Sequence, residues 1–268
     1  MRFTLIIGVM VVLLMLQGCA TTESQNSSRA NNSASSQGAS KKELENKKAD
    51  RRLALAIEYL RQGNYDWAKM NLEKAKEHAP KRADIQYAFG YYYQTVGEYE
   101  LAEEYFLKSI KIDPNQPEVY NNYGTFLCDR GRFEEAEENF LKAVSIKSYT
   151  NAGQAFENLA FCSLKAKKEE EANFYFSKAL DHNPRLLKTL THLVNQSILK
   201  EDYKSAREYM RDYERATPHS PGSLFAAWTI EVKLDNQRGA ATYEEMLMSR
   251  FPDSPQAQQL QQIKNQLR

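Results

Sequence analysis

The 268-residue chain is poor in the side chains that carry chemistry: it has four histidines and three cysteines. It contains no His-Glu-x-x-His, no Gly-x-Ser-x-Gly, no phosphate-cradling glycine loop and no calcium loop. The usual signatures of hydrolases, nucleotide enzymes and metal sites are therefore missing. No histidine stands near a cysteine in a zinc-ligand pattern. Net charge is lacking too, since 36 basic residues against 35 acidic ones leave +1. No basic stripe is present, which excludes the electrostatic footprint of a nucleic-acid binder. Beyond the first nineteen residues no apolar run is long enough to span a bilayer. These absences argue against an enzyme and leave no cofactor, metal, small-molecule substrate or nucleic acid to expect.

Proline is also scarce, with eight residues, but its placement is informative. Pro80, Pro114, Ser148, Pro184, Pro218 and Pro252 form a ladder with a step of 34 residues, broken once by a step of 36. A chain of stacked helical hairpins produces such a ladder, because each proline ends the second helix of its copy. The ladder sets six repeats: 49–82, 83–116, 117–150, 153–186, 187–220 and 221–254. Asn151 and Ala152 are left over as an insertion.

Other columns fall into this register. A small residue opens the second helix at Ala68, Ala102, Ala136, Ala172, Ala206 and Ala240. Four residues on comes a large partner: Leu72, Phe106, Phe140, Phe176 and Met210, with Glu244 as the misfit. The first helix carries Ala56, Gly90, Gly124, Ala160, Val194 and Trp228, mostly small, which lets paired helices approach. Gly63, Gly97 and Gly131 open the turns, where a left-handed residue ends a helix. An aromatic two residues later is expected to plug the open end of the hairpin.

This pattern resembles the tetratricopeptide repeat (TPR), a 34-residue helix–turn–helix. The second copy carries Phe89, Gly90, Tyr93, Gly97, Tyr99, Ala102, Phe106 and Pro114. The third carries Tyr120, Tyr123, Gly124, Gly131, Phe133, Ala136, Phe140 and Ala143. The resemblance implies an all-α fold, a right-handed superhelical solenoid of six repeats over 49–254. Residues 255–268, with Leu260, Ile263 and Leu267, suit a capping helix.

The N-terminal end reads as targeting. Arg2 precedes an apolar run, Phe3–Leu16, too short to span comfortably. It closes in Leu16-Gln17-Gly18-Cys19, which resembles the lipobox of bacterial lipoproteins. That resemblance implies removal of residues 1–18, a diacylglycerol on the Cys19 sulfur and a further acyl chain on its new amino group. Two or three chains anchor firmly. Ala20 follows the cysteine where the inner-membrane retention signal has Asp, which points to the periplasmic face of the outer membrane. Residues 19–48 are expected to form the lipidated cysteine and a flexible polar tether, because Ala20–Ser40 has no large apolar residue to bury.

Cys128 and Cys162 fall on the first helices of adjacent repeats at nearly the same level. In an oxidising periplasm they are candidates for a disulfide, with two buried thiols as the alternative. His78 and His182 share one slot near a helix C-terminus, where a cation is favoured by the helix dipole. No partner is evident for His192 or His219.

In TPR proteins the first helices line a concave groove through the fifth, ninth and twelfth positions of each repeat. In the first two repeats these are Leu53, Ile57, Leu60, then Tyr87, Tyr91 and Gln94. Exposed apolar clusters mark interaction sites, so Leu53, Ile57, Leu60, Tyr87 and Tyr91 are the candidate partner-binding groove. The alternative is that Leu53 and Ile57 pack as core. No repeat has Lys at its fifth position, which argues against the carboxylate-clamping mode of some TPRs.

The layout of lipobox, polar tether and six regular repeats is similar to the type IV pilotins, the PilF/PilW-type pilus biogenesis lipoproteins. The run from Tyr120 to Cys128 and the cysteine pair look like that family as well. The resemblance implies a groove that binds the type IV pilus secretin, delivery by the lipoprotein sorting machinery, and secretin localisation and multimerisation at the outer membrane. A shared membrane anchor also raises the effective concentration of secretin subunits. The alternatives are a scaffold of the outer-membrane β-barrel assembly machinery, whose repeats are less regular in length, and an adaptor for peptidoglycan hydrolases.

Overall fold

The computed structural model describes residues 24–266, with side chains from residue 40 onward. The signal segment and Cys19 lie outside the described residues. Thirteen helices and no strands occur among them. They are α1 (Ser24–Arg61), α2 (Tyr65–His78), α3 (Ala83–Val96), α4 (Tyr99–Ile112), α5 (Pro117–Asp129), α6 (Phe133–Ser145), α7 (Ala152–Lys165), α8 (Glu169–His182), α9 (Leu187–Leu199), α10 (Tyr203–Ala216), α11 (Pro221–Lys233), α12 (Gln237–Arg250) and α13 (Pro255–Gln266). Each odd helix pairs with the even helix that follows it, and α13 lies against α11 and α12. The helices are in the paired helix–turn–helix arrangement of tetratricopeptide repeats.

The proline ladder maps onto helix ends. The helices α2, α4, α8, α10 and α12 each stop two residues before their proline. The residue before a proline is pushed out of the helical region, so the helix must end there. Several starts are marked by side-chain caps. Asp202 accepts a hydrogen bond from the Ser205 backbone N–H at 3.1 Å. Ser220 and Ser223 cap reciprocally ahead of Pro221, the first residue of α11, which satisfies otherwise orphaned amides.

The segment read as a flexible tether differs. Helix α1 begins at Ser24 and continues without a break into the first repeat. Once a helix is nucleated by packing against α2, adding residues at its N-terminus costs little.

The core is built from the register columns. Leu72, Phe106, Phe140 and Phe176 are fully buried, each facing the small column of its own repeat. A Cβ added to Gly90 would come within 2.9 Å of the Phe106 ring. One on Gly124 would meet the Ala136 carbonyl and the Phe140 ring, both at 3.1 Å. The misfit Glu244 instead pairs with Lys264 of α13, while Leu247 supplies the buried contact to the cap. At the irregular 36-residue step, Tyr149 is buried with Tyr120, Ala143, Ala152 and Ala155. Of the two extra residues, Ala152 joins this apolar cluster, and the exposed Asn151 is the residue from which α7 starts.

Candidate partner-binding face

The first-helix face of repeats one and two holds the predicted groove residues, and the structure divides them. Ile57 and Tyr91 are exposed, at 40% and 46%. Leu53 is half-buried against the core of the first two repeats. Leu60 is core, only 8% exposed, and its assignment to the groove is corrected. The reason is helical spacing. Leu60 lies one turn beyond Ala56, on the stripe that faces the paired helix. Cys128, four residues after Gly124, is buried for the same reason.

Tyr87 is half-buried, its ring 6.2 Å from that of Phe106. Its hydroxyl accepts a hydrogen bond from Asn122 Nδ2 at 2.8 Å. Burial pushes the Tyr87 hydroxyl pKa up to about 12, with Tyr91 and the Glu118 carboxylate adding to it. Tyr149 is likewise pushed up to about 12 by burial, then by Glu118 and Tyr87. Both phenols stay neutral; Tyr87 serves as a hydrogen-bonding rim of an aromatic surface, and Tyr149 is buried behind it. Sequence reasoning missed Glu118, Asn122 and Tyr149, which come from the next repeat and its trailing loop.

Polar contacts continue along the same face from repeat to repeat. Asn158 Nδ2 donates to Asn121 Oδ1 at 3.1 Å. Glu157, 3% exposed, accepts from the Thr189 hydroxyl at 2.6 Å and its backbone N–H at 3.1 Å. A buried carboxylate is tolerated only with such partners.

In repeats four to six the face opens into two adjoining clefts. One, of about 420 Å³, is lined by residues including Phe161, Lys188, Thr191, His192, Asn195 and Tyr213. The other, of about 230 Å³, shares Thr191, Asn195 and Tyr213 and extends to Ser223 and Ala226. Lys188 Nζ sits 3.9 Å above the Phe161 ring centroid. His192 packs against both the Phe161 and Phe176 rings, which also touch each other; its Nε2 is buried with no hydrogen-bond partner among the described residues. Burial, aided by Lys200, lowers the His192 pKa and favours the neutral ring. Sequence reasoning placed no site here, because the clefts are lined by residues of different repeats.

The other histidines have structural partners. His78 Nδ1 is 2.7 Å from Glu45 Oε2. His182 stacks on Phe156. His219 bridges Glu214, at 3.1 Å, and Ser223, at 3.0 Å. The His219 hydrogen bond in turn lowers the Glu214 pKa, helped by one from Tyr243.

Cys128 on α5 and Cys162 on α7 are joined as a disulfide, with Cα atoms 5.8 Å apart. Both are buried in the central core with Phe126, Leu159 and Phe176. The bridge spans the joint that carries the two-residue insertion.

Paired helices in 34-residue register, an apolar packed core and a face of exposed aromatic and polar side chains define a tetratricopeptide-repeat protein. Tetratricopeptide-repeat family models match residues 83–116 and 105–138. The type IV pilus assembly protein PilF of Pseudomonas aeruginosa is 29% identical over 113 residues. That match covers 42% of this chain and 45% of the relative, less than half the relative's length. A solved structure of Pseudomonas aeruginosa PilF is 30% identical with a TM-score of 0.65, covering 81% of this chain and 98% of that one. The crystal structure of PilW, a widely conserved type IV pilus biogenesis factor, is 28% identical with a TM-score of 0.61 over 79% of this chain and 97% of that one. The chain belongs to the PilF/PilW family of type IV pilus assembly proteins.

Proposed function

We propose that this protein is an outer-membrane pilotin. It is anchored through lipid on Cys19, delivered by the lipoprotein sorting machinery, and holds a subunit of the type IV pilus secretin during localisation and multimerisation. Family membership supports a role in pilus assembly. The observation that carries the docking surface is the exposure of Ile57 and Tyr91 beside the Tyr87–Asn122 pair. Large side chains left in water on one face of a repeat scaffold are the anchors that interfaces use. No helix among the described residues is long and apolar enough to cross a membrane, so the lipid on Cys19 supplies the attachment in this reading.

The test is a calorimetric titration with soluble secretin fragments. Ile57→Ala with Tyr91→Ala lowers secretin affinity at least about tenfold, since anchor truncation costs on the order of 2 kcal/mol. Helix content and melting temperature stay near wild type, because both side chains are exposed. Tyr87→Ala with Tyr91→Ala gives a similar loss, and Thr191→Ala with Asn195→Ala gives little. If the Thr191/Asn195 pair abolishes secretin binding while the Ile57/Tyr91 pair leaves it intact, the secretin site lies elsewhere.

A further inference from the structure

We propose that the two clefts of repeats four to six are a second docking site, one that takes an extended acidic peptide segment of a partner protein. This does not rest on the secretin reading. The first observation is charge. No Asp or Glu lines either cleft, and the one lysine or arginine among their lining residues is Lys188. Lys188 makes no ion pair among the described residues and rests on the Phe161 ring. Two carboxylates on the elements that line the clefts are already committed: Glu157 to Thr189, and Glu214 to His219 and Tyr243. A cation held over a ring at the mouth of a carboxylate-free cleft is complementary to an acidic side chain.

The second observation concerns shape and hydrogen bonding. Thr191 and Asn195 stand one helical turn apart, both exposed, between the two clefts. These side chains offer donors and acceptors at intervals. An extended main chain has free N–H and C=O groups to meet them, whereas a helix has satisfied its own. Phe161 and Tyr213 flank the pair and give apolar purchase for alternate side chains of a strand, which point to opposite sides. The occupant that fits is a strand-like segment with apolar residues alternating with Asp or Glu.

The experiment is fluorescence anisotropy with the intact protein in detergent and two labelled peptides. One alternates Leu with Asp, the other Leu with Asn. The acidic peptide binds at least tenfold tighter at low salt, and the preference shrinks as salt is added. Lys188→Met, which keeps a stem over Phe161 without the charge, and Lys188→Glu both remove the preference. Thr191→Ala with Asn195→Ala weakens both peptides by a similar factor. Ile57→Ala with Tyr91→Ala changes neither, so failure here is separable from failure of the secretin site. Equal affinity for the two peptides, no measurable binding, or a preference that survives Lys188→Glu overturns the proposal. So does sedimentation showing a dimer of this chain that Lys188→Glu dissociates, since the occupant would then be a second copy.

Discussion

The fifteenth residue of every repeat sits in the left-handed backbone region. In the first three it is glycine: Gly63, Gly97 and Gly131, with φ of 72°, 85° and 75°. In the last three it is Lys167, Glu201 and Asp235, with φ of 62°, 57° and 54°. The turn geometry is the same and only the side chain differs. An L-residue with a Cβ in this conformation carries a steric cost of roughly 1 kcal/mol that glycine avoids. Lys167→Gly and Glu201→Gly are therefore expected to stabilise the protein by about 0.5–1 kcal/mol each, read as a higher urea midpoint at unchanged m. Gly97→Ala is expected to destabilise by a similar amount. A lower midpoint for both glycine variants would show that flexibility gained in the unfolded chain outweighs the relief of strain.

At the scale of one hairpin, stability depends on how closely the paired helices approach. Gly124 faces Phe140, and Ala160 faces Phe176 in the next copy, where alanine is accommodated. Gly124→Ala should thus be mild, because better helix propensity offsets a few tenths of an ångström of crowding. Gly124→Leu forces a branched side chain into the Ala136 backbone and the Phe140 ring, and is expected to cost about 1–3 kcal/mol. Thermal melting followed by circular dichroism reads both. An unchanged melting temperature for Gly124→Leu with lost secretin assembly would make this a binding position rather than a packing one.

For the whole molecule, stability is close to a sum of repeats and their interfaces, so a cross-link at one joint adds to the stability of the whole. The joint between repeats three and four carries the insertion, and there the Cys128–Cys162 bridge closes a loop with a sequence separation of 34. Closing a loop of this size is worth about 2–4 kcal/mol through the unfolded state. Reduction, or Cys128→Ser with Cys162→Ser, should lower the stability of the chain by that amount. Both thiols free and alkylatable in unreduced periplasmic protein would remove the bridge from the account. Cys19→Ser tests the anchor at the same scale. It should abolish lipidation and outer-membrane fractionation, and wild-type fractionation of this variant would reject lipid-driven delivery.

The repeat number, helix register and turns were determined by sequence alone, because each rests on local steric rules that a 34-residue period repeats six times. Proline stops a helix that runs into it, and glycine accepts a left-handed turn without help from neighbours. The all-α solenoid and its packing columns were legible for that reason. The accessibility of side chains on the first-helix face was decided only by tertiary structure. Leu60 follows the same column rule as Gln94, yet it is buried in one cluster with Ala56 and Leu72 while Gln94 is only half-buried. The clefts beside Lys188 and the hydrogen bond from Asn122 to Tyr87 join residues of different repeats. Their existence depends on the angle at which one hairpin stacks on the next, and that angle is set by packing across each interface rather than by residue spacing along the chain.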